Sequence, residues 1–118
     1  MADEIEIQLF LEQLRSKIRV FHDPVSFENR DKNTEALAEL DILPIDRLNY
    51  LKNLKVEDYY TGPNPDEQNP GGPPYYEFGI HVNGHEVYIK LTLGNENKRI
   101  NCISFHKAER AISYPFKK

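Results

Sequence analysis

The chain has 118 residues, 39% hydrophobic and 29% charged, with a formal net charge of −4 and one cysteine. That length can bury one core without crosslinks. The lone Cys102 excludes an internal disulfide framework, and no apolar run approaches the roughly 20 residues of a membrane span. Met1-Ala2-Asp3-Glu4 is acidic where a signal peptide carries positive charge, so a cytoplasmic single domain without membrane contact is expected. The charge is uneven: residues 1–74 carry 8 basic and 15 acidic side chains, residues 75–118 carry 7 basic and 4 acidic. A polyanion is drawn to the second part and repelled by the first.

In chain order, residues 3–21 fit an amphipathic helix. Ile7, Phe10, Leu11, Leu14, Ile18 and Phe21 follow the spacing of one buried face, with the last few residues able to leave as a short strand. His22-Asp23-Pro24 forces an extended or turn geometry, since the residue before proline is kept out of the α region. Residues 25–31 are ambiguous between elements. A second helix is expected over about 33–40, with Thr34 as cap. A third runs from Pro44 to about Leu54 on a stripe of Ile45, Leu48, Leu51 and Leu54. Five prolines and three glycines between residues 62 and 74 exclude a helix or a central strand, so 61–74 reads as a long loop.

From Tyr75 to His106 the chain reads as an antiparallel meander. Asn83-Gly84 is a two-residue hairpin signal, because a type I′ turn needs positive φ at both central positions. With that turn, Tyr76, Phe78 and Ile80 face Leu91, Ile89 and Val87, while Glu77, Gly79 and His81 face Lys90, Tyr88 and Glu86. A slip of one residue would scramble both sets. Gly94 to Lys98 forms a second turn. A third strand over about 99–106 then points Ile103 and Phe105 inward, and Cys102, Ser104 and His106 to the other face. Asn101 falls inward, against its polarity. Residues 107–112 read as a short helical turn or a frayed end, and Tyr114-Pro115-Phe116 tucks back on the domain. The fold class is α+β, a single domain with N-terminal helices packed on one face of the meander.

The opposite face gathers Tyr75, Glu77, Tyr88, Lys90, Ser104 and His106, a set suited to acid–base work on a polyanion. A zinc site fits poorly, since His81 and His85 lie on opposite faces and Cys102 has no cysteine partner. Cys102 and His106 would stand roughly 13 Å apart along one strand, too far for a nucleophile–base pair.

The segments Val87-Tyr88-Ile89-Lys90-Leu91 and Ile103-Ser104-Phe105-His106, preceded by Leu54-Lys55-Val56-Glu57-Asp58-Tyr59-Tyr60, resemble the C-terminal core of the MqsR family of type II toxins. Tyr60-Thr61-Gly62-Pro63 resembles a Bacteroidetes-type variant, and the resemblance spans about residues 44–115. It implies a RelE-like fold, metal-independent endoribonuclease cleavage of mRNA without a cofactor, and a cognate antitoxin as partner. It further implies catalytic roles for His106, Tyr88 and Glu77, to which the open face adds Lys90. Tyr59, Tyr60 and Tyr75 would stack bases, and Arg99 and Lys107 would contact RNA. Thr61 and Glu77 stand where the family carries lysine and glutamine, and Lys90, opposite Glu77, is expected to supply the missing cation. The alternative is a non-catalytic protein-binding module, an inactive toxin homologue or immunity-type protein, whose acidic first half binds a basic partner. A small-ligand site under the 61–74 loop is a third reading.

Overall fold

The computed structural model describes residues 2–95 and 97–117. Helix α1 spans Glu4–Val20 and starts where the Asp3 carboxylate accepts a hydrogen bond from Glu6 N at 2.9 Å. Ile7, Phe10, Leu11 and Leu14 are buried on the expected stripe. The helix continues through Val20, so no strand forms at its end. Helix α2 spans Asp31–Glu39, two residues earlier than its apolar spacing suggested, with Thr34 inside it rather than capping it. Helix α3 spans Asp46–Lys52, where Asp46 Oδ2 accepts from Leu43 N at 2.8 Å. Leu51 and Leu54 are buried, but Ile45 is 70% exposed and leaves the stripe.

The ambiguous residues after Pro24 form strand β1, Val25–Phe27. The other strands are β2 (Tyr59–Asn64), β3 (Tyr75–Val82), β4 (His85–Thr92) and β5 (Ile100–Lys107). The five lie in the order β1-β5-β4-β3-β2, with β1 parallel to β5 and the remaining pairs antiparallel. The fold is therefore α+β with a mixed sheet, and the helices cover one face. Phe78, Val87, Ile89, Leu91 and Phe105 meet the α1 stripe, Leu40, Leu51 and Leu54 in one core. Phe10 stacks on Phe78 at 5.9 Å and on Tyr76 at 4.0 Å.

The hairpin has the expected register at each residue from Tyr76↔Leu91 to Val82↔His85. Asn83 and Gly84 take φ of 49° and 85°, as the tight turn requires. Strand β5 differs from expectation. Lys90 pairs with Ser104 and Leu91 with Cys102, so Ile103 is a bulge residue with no partner on β4. The extra residue inverts the strand before it: Cys102 is fully buried in the core, and Ile103 lies on the outward side beside Tyr75 and Lys90. The same inversion frees Asn101 from the core, and its amide donates to Glu28 Oε2 at 3.0 Å.

Distant side chains hold this irregular strand. Where β1 ends, the buried Asn33 amide of α2 donates to Ile103 O (2.9 Å) and Glu28 O (3.0 Å) and accepts from Phe105 N (3.0 Å). It thereby continues the edge pairing that backbone gives elsewhere. Arg99 donates to Asp23 O, Asp23 Oδ2 and Val25 O. Lys17 at the end of α1 donates to Leu93, Asn95 and Lys98 carbonyls at 2.5–2.8 Å, pinning the turn before β5. Glu96 of that turn lies outside the described residues.

The expected 61–74 loop is shorter than its composition suggests. Residues 61–64 belong to β2, paired to β3 through two register shifts. Pro63 is tolerated because an edge strand needs bonds on one side only. A Cβ at Gly62 would stand 2.9 Å from Tyr75 O, so the close approach requires glycine.

After β5, residues 108–112 form no helical turn. Residues 108–114 instead cross the outward face as a strap. Glu86 holds it, its carboxylate accepting from Ile112 N (3.1 Å) and Tyr114 Oη (2.8 Å). Gly79 makes room, since a Cβ there would stand 2.5 Å from Tyr114 Oη. Phe116 then packs on Tyr59 at 5.7 Å, as the apolar Tyr-Pro-Phe segment suggested.

Candidate functional site

Between the strap and the sheet lies a cleft of about 340 Å³, lined by Tyr60, Glu77, Tyr88, His106 and residues 108–112. Sheet register builds its floor. Tyr88 is opposite Gly79 on β3 and His106 on β5, and Glu77 lies diagonally next to it. The space over Gly79 is filled by Ile112 and Tyr114 of the strap, and the Tyr88 side chain reaches diagonally to Glu77. Its hydroxyl donates to Glu77 Oε1, and Asn64 Nδ2 on β2 donates to Glu77 Oε2 at 2.8 Å. Both carboxylate oxygens are thus oriented by neighbours. The Tyr88 and His106 rings lie 5.6 Å apart.

Burial, then the hydrogen bond to the Glu77 carboxylate, pushes the Tyr88 hydroxyl far above its ordinary value. Tyr88 therefore stays protonated near neutrality and is a donor to Glu77. His106 is 8% exposed, and its Nδ1–H donates to Lys107 O at 2.9 Å. That bond leaves Nε2 as the nitrogen not spent on the backbone. Arg110 lines the cleft from the strap, and among the described residues no carboxylate lies within 4.0 Å of it. The strap also carries Glu109, which pairs with Lys32 of α2 at 2.5 Å. The Lys32 ammonium holds the Glu109 carboxyl below its ordinary value.

A second depression of about 480 Å³ lies beside the first on the same face, lined by Glu28, Arg30, residues 65–68, Tyr75, Lys90 and Ile103. Here Lys90 Nζ stands over the Tyr75 ring, 3.8 Å from its centroid, a cation–π contact. Arg30 donates to Ser104 Oγ at 3.3 Å.

The structure thus brings His106, Tyr88, Glu77 and Tyr60 together and places Lys90 and Tyr75 in the adjacent trench. Lys90 faces Glu77 in register but makes no ion pair with it within 4.0 Å. Tyr59 departs from expectation. It is fully buried, its hydroxyl donates to Gly62 O, and its ring packs on Phe78 and Phe116, so no face is free to stack a base. Arg99 is committed to the β1 end of the sheet. Lys107 is exposed opposite Val87, a residue of the helix-covered face, and lines neither depression. Cys102 is inert as a nucleophile, because burial pushes its thiol up to about 12.

Two residues of the cleft carry no mark in the sequence. Arg110 sits in a segment without periodicity, and Asn64 sits in a Pro/Gly-rich run that reads as loop. Neither carries a local signal, since each acquires its neighbours through tertiary structure. Among the described residues, no group of three or more His, Cys, Asp and Glu side chains is arranged to hold a metal ion. Comparison with family models, curated proteins and solved structures finds no match to this chain.

Proposed function

We propose that the protein is an endoribonuclease that cleaves single-stranded RNA without a metal ion. The observation that carries this reading is the convergence of His106, with Nε2 unspent, and the doubly oriented Glu77 carboxylate on one cleft floor. In the reaction, Glu77 takes the proton of a ribose 2′-hydroxyl and the 2′ oxygen attacks the adjacent phosphorus. The bond to the 5′ oxygen breaks as protonated His106 gives that oxygen its proton. The products are a 2′,3′-cyclic phosphate and a 5′-hydroxyl. Arg110 replaces Lys90 as the cation nearest the developing phosphorane charge, and Tyr88 donates rather than accepts. Tyr60, 36% exposed at the cleft, offers the stacking surface that Tyr59 does not.

The resemblance to MqsR toxins extends this reading to a RelE-like mRNA interferase held in check by a cognate antitoxin, acting in the cytoplasm. The test uses purified protein, a single-stranded transcript and EDTA. Cleavage leaving cyclic phosphate ends is expected, with a loss of about 10²–10⁴-fold in His106→Ala. Full activity in that variant, or activity that EDTA abolishes, overturns the mechanism. Growth arrest on induced expression, relieved by a neighbouring gene's product, tests the toxin assignment.

A second reading has one observation in its favour. On α1, Ile5 and Leu9 are 68% and 54% exposed one turn apart, beside the exposed Glu4, Glu6 and Glu12. A non-catalytic module would use this face to hold a basic protein partner. Harmless overexpression, with RNA left intact by the purified protein, would favour it.

A further inference from the structure

The trench beside the His106 cleft has no part in the chemistry above, yet it holds two cations facing one depression. Arg30 comes from the β1–α2 connection and is exposed. Lys90 comes from the middle of β4. Ser104 joins them, pairing with Lys90 across β4 and β5 and accepting from Arg30 at 3.3 Å. Among the described residues neither cation has a carboxylate within 4.0 Å, although Glu28, Asp66 and Glu67 line the same trench. Two of these carboxylates accept hydrogen bonds from other groups, and Glu67 is exposed to solvent. Glu28 accepts from Asn101 at 3.0 Å, and Asp66 accepts from Gln68 N at 3.0 Å.

Position gives the pair its meaning. Lys90 is two residues from Tyr88 on β4, and Ser104 is two residues from His106 on β5. Two residues along a strand is about 7 Å, a step comparable to that between successive phosphates of an extended strand. Both depressions open on the same sheet face, with Glu77 opposite Lys90 at their boundary.

We infer that the trench binds the phosphate next to the one in the His106 cleft, between Arg30 and Lys90. The substrate is thus an RNA strand gripped at two consecutive phosphates, with the Tyr75 ring as the trench wall. The inference rests on the ribonuclease reading for the identity of the first phosphate. It explains why Lys90 sits outside the cleft while remaining unpaired with Glu77: its charge serves the neighbouring position.

The test measures binding of a short 2′-O-methyl RNA, which 2′ attack cannot cleave, by fluorescence anisotropy across a salt series. Each phosphate contact contributes about 0.7 to the slope of log affinity against log salt for single strands. Arg30→Gln with Lys90→Gln should weaken binding and lower that slope by about 0.7, with melting temperature recorded to show that the variant is folded. Lys52→Gln, at an exposed position of α3 that lines neither depression, should leave the slope unchanged. An unchanged slope in the double variant overturns the inference, as does inorganic phosphate competing at concentrations similar to the strand's phosphate, which marks an isolated anion site. If the slope falls but unmodified RNA is not cut, the trench stands and the ribonuclease reading fails. If RNA is cut and the slope does not move, the reverse holds.

Discussion

The β3–β4 hairpin and strand β5 contribute to the same cleft floor in opposite ways. The hairpin carries its own instructions: a two-residue turn sets the register and alternation sends Phe78, Ile80, Val87 and Ile89 to one side. Strand β5 carries a bulge at Ile103, and its place is set by side chains up to 81 residues away in sequence, from Lys17, Asn33 and Asp23. Glu77 and Tyr88 therefore come from a locally determined element, His106 and Ser104 from a remotely determined one. Alignment of the two halves of the cleft depends on the clamps around β5 more than on β5 itself.

That contrast can be broken at several points. Phe78→Ala removes the hairpin's fully buried ring beneath Phe10 and Tyr59 and should cost about 3–5 kcal/mol in denaturant unfolding. Asn33→Ala leaves the buried edge of β5 without partners and should cost about 3 kcal/mol. At temperatures where the variant is folded, the ribonuclease proposal adds that RNA cleavage slows through misplacement of His106, whereas the hairpin register, read by cross-strand NOEs, stays intact. Equal disturbance of hairpin and β5 would erase the contrast between them. Gly84→Ala meets nothing within 4 Å, so its whole cost comes from holding φ of 85°. About 1–2 kcal/mol is expected from chemical denaturation.

A further effect appears only in alkali. The native Cys102 thiol is pushed up to about 12 by burial, while the unfolded thiol titrates near 8.5. Above that lower value the unfolded chain releases a proton that the native chain keeps. Stability from this group is complete below about pH 8.5 and declines as pH rises toward 12. Tyr88, whose hydroxyl is raised by burial and Glu77, acts in the same direction from about pH 10 upward. Thermal melts of wild type and Cys102→Ala at pH 8 and pH 10.5 should show the gap between them narrowing at the higher pH.

The same contrast explains what could be read from the chain. The hairpin's pairing follows from Asn83-Gly84 and the alternation around it, because period and turn chemistry are local. The helical stripe of α1 is equally local, although the exposed Ile45 shows that an apolar residue at the right spacing need not find a core. The β5 bulge was hidden, since strict alternation put Cys102 outside and Asn101 inside. The polarity of Asn101 was the one trace of it. Strand β2 was hidden by its own composition: Gly62 and Pro63 read as breakers, yet both suit an edge. In the cleft, His106, Glu77 and Tyr88 were legible as one face of one sheet. Arg110 and Asn64 were not, because the strap and the edge strand reach the site by tertiary packing alone. Tyr59 and Tyr60 look alike in the sequence, and strand alternation sends one to the core and the other to the cleft.

Both margins of the sheet are poor templates for another strand. Strand β1 is three residues long, and beyond it the side chain of Asn33 occupies the hydrogen-bonding groups of β5. At the far side β2 is twice shifted in register and carries Pro63, which has no N–H to offer. The Gly62 carbonyl there already accepts from Ala2 N and the Tyr59 hydroxyl. A protein finished in this way resists edge-to-edge self-association even when concentrated. Any macromolecular partner must then engage its faces, by the helices or by the outward side of the sheet, rather than extend the sheet by one more strand.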